Sequence, residues 1–359
     1  MRRLGALLAA ALMITVAIWG RGQLDDKTST PSSEPSASLG VLVCATELQA
    51  ACETLAGRHH DLTVRIEEAQ VTLSRLAAPA FDPATATGDA RIDAWLVPQP
   101  WPAMMAEQRQ RAGSGGVVLD DPGAILARSP LVIAIWNDRR DALVARCGGG
   151  TVTWKCIGEV AGTPWGSTSP LDTWGAVKPG HPDPDQTAAG LLALGEATAG
   201  WFGTASFASN DFNDPAFRAW FERLERSVPS FPAPPRTPLD AMLFAGPSSF
   251  DLTGSTEAAA GPAISTSRDK DRLSILYPAP LTTADVVLAP VAGSQAGGRL
   301  MKLMQSKEGA EALAEAGWRV DGQAPAGGVP AEPALAADSN VPRAGVLQAL
   351  RSLWTEVVR

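Results

Sequence analysis

LGVLVCATELQAACETLAGRHHDLTVRIE, residues Leu39 to Glu67, reads as strand, helix, strand. Leu39 to Ala45 is a continuous apolar run, as a strand buried on both faces requires. Thr46 is placed to cap a helix from Glu47 to about Arg58, and Asp61 to Glu67 alternates as a second strand. A helix through Leu76 follows. Arg91 to Val97, RIDAWLV, is a third strand, stopped by Pro98-Gln99-Pro100 before a helix from about Trp101 to Arg111. Three successive strand-helix alternations predict a parallel sheet with covering helices, an α/β class of fold.

Upstream, Met1-Arg2-Arg3 precedes an uncharged apolar run from Leu4 to Gly20, the layout of an export signal. No small-x-small cleavage site follows, and Trp19 stands where an interfacial anchor would, which favours a retained signal anchor. The run is about 17 residues, the lower limit for a span, so cleavage stays open. The first cysteine lies far beyond it, which disfavours a lipoprotein. Gly22 to Ser38, rich in Ser, Thr, Pro and Asp, reads as a flexible spacer. The folded part is therefore expected at the extracellular face of the cell membrane, anchored or released.

Export frames the cysteines. Cys44, Cys52, Cys147 and Cys156 form two close pairs without zinc-ligand spacing, and in an oxidising compartment they suggest two short-range disulfides, other pairings remaining open. The formal net charge of −8 supplies no basic footprint for nucleic acid.

Downstream, Leu131 to Trp136 (LVIAIW) is the most apolar strand candidate. A Trp-rich segment, Trp154 to Trp174, follows, and then WGAVKPGHPDPDQTAAGLLAL, Trp174 to Leu194. That stretch reads as a short strand over Trp174 to Val177, a Pro/Asp turn, and a helix capped by Asp183 or Asp185. First-turn N–H groups of such a helix suit a hydrogen-bond-accepting ligand, with Gln186 and Thr187 adding side-chain contacts; the plain alternative is an ordinary strand-to-helix turn. Phe217, Phe221 and Leu224 at helical spacing read as core. Ser249 to Thr253 is a strand, after which Ser255-Thr256 caps a helical turn. Arg272 to Tyr277 and Ala284 to Ala289 read as strands rejoining the first part, and Arg343 to Val358 as a last amphipathic helix.

Catalytic patterns are lacking. The three histidines, His59, His60 and His181, have no ligand spacing; His59-His60 suits a helix end, and His181 suits either a solvated turn or a ligand contact. No G-x-S-x-G elbow occurs, and GSQAGGRL, Gly293 to Leu300, lacks the Lys and Ser/Thr of a phosphate loop. The expectation is a binding module rather than an enzyme, with no cofactor.

The order of LGVLVCATEL, RIDAWLVP, SPLVIAIW, HPDPDQTAAGLLAL, SSFDLTGSTEAA and LSILYPAPLTTADVVLAPV resembles the type 2 periplasmic-binding-protein-like superfamily, extracellular solute-binding proteins of the molybdate/sulfate/phosphate-like kind. It looks closest to actinobacterial membrane-anchored forms. The resemblance, over about Leu39 to Val320, implies two lobes, each a mainly parallel sheet flanked by helices, joined by two hinge crossings. Its boundaries would be a signal segment 1–21, a linker 22–38, lobe I 39–135, lobe II 136–247, a return to lobe I 248–320, a linker 321–342 and a terminal helix 343–359. It implies a small polar solute held between the lobes and delivery to an ABC permease; an envelope assembly protein with a degenerate pocket is the alternative. Carried over, it implicates Thr46 and Glu47, Gln99 and Trp101, Asp185, Gln186 and Thr187, Ser255, Thr256 and Glu257, and Tyr277. Where oxyanion-binding relatives place serine after the first and third strands, this chain has Thr46-Glu47 and Pro98-Gln99. Glu47 would repel an anion, so a neutral or cationic ligand is expected.

Overall fold

The first three expected strands form as β1 (Gly40–Ala45), β2 (Leu62–Glu67) and β3 (Ala94–Pro98). They pair in parallel, with Leu42 opposite both Val64 and Ala94. Helices α1 (Gln49–Arg58), α2 (Ala69–Ala77) and α3 (Trp101–Arg111) follow each strand in turn. A 3₁₀ turn over Thr46–Leu48 precedes α1, so Thr46 does not cap that helix as its sequence position suggests. The computed structural model describes residues 38–230, 237–330, 333–335 and 340–358. The expected signal segment and nearly all of the spacer lie outside them. Among the described residues no helix is long and apolar enough to cross a membrane.

Strand β4 (Ala127–Trp136) carries the chain from one half of the sheet to the other. Its Ala127–Pro130 segment pairs with β8 (Thr283–Pro290), and Leu131–Ile135 pairs with β6 (Leu252–Thr256). β7 (Leu273–Leu276) joins the far end of β4, and the two-residue β5 (Pro179–Gly180) pairs with β6. The order is β2-β1-β3-β8-β4-β6-β5, with β7 beside β4. The expectation of mainly parallel pairing holds among β1, β2 and β3 and is corrected for the rest, beginning with β8, which runs antiparallel to β3. β4 meets β6, β7 and β8 antiparallel, and β5–β6 is the parallel pair there. The reason is directional: β4 is one uninterrupted strand, and the strands beside it run back along it. Antiparallel neighbours need no helical crossover.

The expected strand at Trp174 to Val177 does not form. Gly175 adopts a left-handed φ of 74°, and the segment makes a single bridge, Pro164 to Ala176. Trp174 instead faces the guanidinium of Arg139, 3.5 Å from its ring centroid, and Trp165 meets Trp174 edge-on at 5.5 Å. Arg139, on α4 (Asn137–Arg146), donates from Nε to Asp251 Oδ1 at 2.9 Å. The other Asp251 oxygen accepts from Trp165 Nε1 and from the Lys178 amide. The Trp-rich segment is thus wound round a buried ion pair.

α5 (Trp154–Val160) and α7 (Pro215–Arg226) flank α6 (Ala188–Phe202), which is buried from Ala188 through Ala199, as an all-round apolar helix should be. The aromatic stripe of α7 packs inward, Phe217 meeting Phe202, Phe212, Trp220 and Phe221. α8 (Pro238–Ala245) and α9 (Glu257–Thr266) border β6, while α10 (Gln295–Met304) and α11 (Lys307–Glu315) return to the first half. The last helix, α12 (Ala344–Val358), contacts α3 in the first half and α6 and α7 in the second. It buries Leu347, Leu350, Leu353 and Trp354.

Cys44 pairs with Cys52, and Cys147 with Cys156, the short-range pairs that the spacing suggested. The first links the end of β1 to α1, where both cysteines are fully buried. Closing so short a loop removes unfolded-state entropy worth about 2–3 kcal/mol. Cys52→Ala should lower unfolding free energy by about that amount in a guanidinium titration. An unchanged midpoint in the variant would show that the bridge does not restrain the unfolded chain.

Candidate functional site

A pocket of about 590 Å³ opens where β1 and β6 end and α6 begins. Ligands of α/β proteins gather at the carboxyl ends of strands, because loops there leave the sheet in different directions. Thr46 and Glu47 follow β1 into it, Ser255 and Thr256 close β6 beside it, and Thr187 and Ala189 bring the start of α6. These residues come from three distant parts of the chain.

Local chemistry fixes each of them. Thr187, rather than Asp183 or Asp185, caps α6, its Oγ1 accepting from the Gly190 amide at 3.0 Å. Asp183 is instead used within the turn, Oδ1 accepting from the Asp185 amide and its carbonyl from the Thr187 amide. The turn lies so close on the helix that a Cβ on Gly190 would stand 2.4 Å from the Pro182 carbonyl oxygen. Thr256 caps α9 by accepting from the Ala259 amide, and Ser129 Oγ accepts from the Ala258 amide.

Glu47 reaches furthest. Its Oε1 accepts from the Ala189 amide at 2.7 Å, joining the turn after β1 to the first turn of α6. Burial pushes its carboxyl above the ordinary range, a tendency opposed by the amides of Ala189 and Ala188.

Three further carboxylates line the pocket: Glu53, Asp240 and Glu315. Glu53 accepts from Gln49 Nε2, and Asp240 from Thr237. Glu315 pairs with Arg58 at 3.0 Å. Among the described residues no lysine or arginine lines it. Sequence reading missed Gln49, Glu53, Asp240 and Glu315. One signal existed for the first two, which face solvent four residues apart on α1.

The other candidates lie elsewhere. Gln99 borders a second, more apolar cavity of about 520 Å³ beside α3, together with Arg109. Trp101 is fully buried at the start of α3. Asp185 lies 3.9 Å from Arg351 of α12, and the Gln186 carbonyl accepts from the Gln70 amide. Glu257 is fully buried in a two-pronged pair with Arg319, both contacts at 2.7 Å, and accepts from the Tyr277 hydroxyl. Burial and that carboxylate hold the Tyr277 phenol well above its ordinary pKa.

His181 is neither solvated nor at the pocket. Its ring is buried, with Nε2 2.9 Å from Glu225 Oε2 and Nδ1 2.8 Å from the Pro182 carbonyl oxygen. Trp354 of α12 donates to the same Glu225 oxygen. Two acceptors, one on each ring nitrogen, call for a doubly protonated imidazole. Burial disfavours that charge, but Glu225 and the carbonyl outweigh it and raise the pKa. Among the described residues no group of three or more His, Cys, Asp or Glu side chains is arranged to hold a metal ion.

No protein-family model matches the chain, and no curated protein matches it in sequence. Solved structures do match it in shape. The apo ferric ion-binding protein A of Pasteurella haemolytica gives a TM-score of 0.56 at 12% identity, over 88% of this chain and 97% of that one. The periplasmic binding protein AfuA from Actinobacillus pleuropneumoniae, with exogenous fructose-6-phosphate bound, gives 0.54 at 11% identity, over 89% and 96%. A periplasmic thiamin binding protein gives 0.54 at 12%, over 89% and 96%. Identities this low speak to fold alone, and that fold is the one the order of sequence segments resembled. The chain has the fold of the type 2 periplasmic solute-binding proteins.

Proposed function

We propose that this chain is an exported solute-binding protein that takes a small cationic solute into the pocket between the end of β1, the end of β6 and the start of α6. The observation that carries the reading is the lining: Glu47, Glu53, Asp240 and Glu315, with no lysine or arginine among the described residues there. Glu47, Glu53 and Asp240 have no ion-pair partner among the described residues, so an ammonium group would find uncompensated negative charge there. Hydroxyls of Thr46, Thr187, Ser255 and Thr256 supply orienting hydrogen bonds. In this reading the two halves of the sheet belong to two lobes, the chain crossing through β4 and before β8. The signal segment holds the protein at the outer membrane face, and an ABC permease receives the solute. No enzymatic role is proposed.

A thermal-shift screen of the purified chain, from residue 38 on, tests this. Amines, polyamines and quaternary ammonium compounds should raise the melting temperature saturably, since a ligand of the native state stabilises it by about 2.7 kcal/mol at a hundred times its Kd. A screen in which sulfate, phosphate or organic acids give the shifts, and cations none, would overturn the reading.

A further inference from the structure

The start of α6 is already occupied by a carboxylate, and it comes from the chain itself. The helix carries its amides at the pocket edge, as an anion site would. Yet the Ala189 amide is taken by Glu47 Oε1 at 2.7 Å and the Gly190 amide by Thr187 Oγ1 at 3.0 Å. Glu47 is 142 positions away in sequence from the amide it binds, so this is no local cap. Its other oxygen accepts from Thr46 Oγ1 at 3.4 Å.

The geometry points to Glu47 as a built-in anion: its carboxylate fills the seat that a ligand's acidic group would take, and so sets the pocket against oxyanions and acids while leaving its negative rim to cations. The claim deepens the solute-binding reading and rests on it. Two effects act together. The seat is filled sterically, and the charge of the occupant repels a second anion in a partly desolvated site. Glu47 also ties the turn after β1 to the first turn of α6.

The test compares wild type with Glu47→Ala and Glu47→Gln. Sulfate and phosphate binding is measured by calorimetry and by melting temperature, with chloride at matched ionic strength as control. Glu47→Ala vacates the seat and should bind sulfate at least about tenfold more tightly than wild type, equivalent to about 1.4 kcal/mol. Glu47→Gln keeps an acceptor on the Ala189 amide without the charge, so it should fold as wild type does and stay insensitive to sulfate. If Glu47→Ala fails to fold, Glu47→Gly and Glu47→Ser vacate the seat with different local backbone demands. Equal sulfate affinity in wild type and the vacated variants overturns the inference, as does a wild type that binds sulfate tightly. Cation binding by wild type is read separately. If it is seen while the vacated variants gain no sulfate affinity, the inference alone fails; sulfate gain without any cation response sinks the cationic solute and leaves the built-in anion standing.

Discussion

Asp251→Ala should cost about 3–5 kcal/mol of unfolding free energy, the loss expected when one partner of a buried ion pair is removed. Asp251 is fully buried, and burial raises its carboxyl pKa against the pull of the Arg139 hydrogen bond. Without it Arg139 keeps Asp138 at 2.9 Å, but its Nε, Trp165 Nε1 and the Lys178 amide lose their acceptor. Unsatisfied buried donors cost roughly 1–3 kcal/mol each, which sets the loss in the upper part of the mutational range. Guanidinium titration of the variant supplies the number. The double variant Asp251→Leu with Arg139→Leu discriminates between attraction and satisfaction. If the pair matters because each member satisfies the other, removing both should recover much of the loss. A double variant as unstable as the sum of the singles would refute that view.

A second large effect is a stability that falls as pH rises from 5 to 8. Glu196 lies within α6, fully enclosed, with Oε2 accepting from Trp154 Nε1 at 3.1 Å and Oε1 3.5 Å from Thr282 Oγ1. Burial raises its pKa from 4.5 to about 8. The folded protein therefore holds a proton that the unfolded chain releases. That contribution is complete below the unfolded value of 4.5 and is lost as pH climbs through about 8. Within the window the slope approaches about 1.4 kcal/mol per pH unit. His181 acts in the same direction: its raised pKa gives stability present below 6.5 and lost as pH passes the folded value. Glu196→Gln keeps an acceptor for Trp154 and removes the proton, so its profile should be flatter and its stability at pH 8 higher than wild type. Denaturant titrations at several pH values decide it. A wild-type profile that rises over this range, or a Glu196→Gln slope equal to wild type, would refute the assignment.

How much of this was legible follows from whether each cue is local. β1 and β3 are short apolar runs and β2 an alternating one, each bounded by turn residues, so length and pattern suffice for them. β4 and β8 were legible as strands but not in direction or partner, because an apolar run carries no record of what lies beside it. The strand expected at Trp174 to Val177 failed because Arg139, far away in sequence, recruits Trp174 to a guanidinium instead of a ladder.

The pocket divides on the same line. Thr46, Glu47, Ser255 and Thr256 follow strand ends, and the general rule for α/β sheets finds such places. Thr187 was within reach as the residue before the helical run. Glu257 and Tyr277 satisfied that rule equally well, yet Arg319 takes them into an internal ion pair, and nothing in the local sequence announces a partner 62 positions later. Glu53, Asp240 and Glu315 stand on three helices whose convergence is a property of the tertiary packing alone.

The place of β8 in the sheet has a consequence for how the chain is made. β8 lies between β3 and β4, yet Thr283 emerges from the ribosome, and from any export channel, long after both. Until it arrives, β3 and one segment of β4 present open edges, the feature that invites pairing with other chains. The long sequence separation of the β3–β8 pairing also slows closure. Export of an unfinished or cut chain ending before β8 would thus deliver two edges awaiting one strand, which makes the interval of synthesis up to Pro290 the period of greatest aggregation hazard.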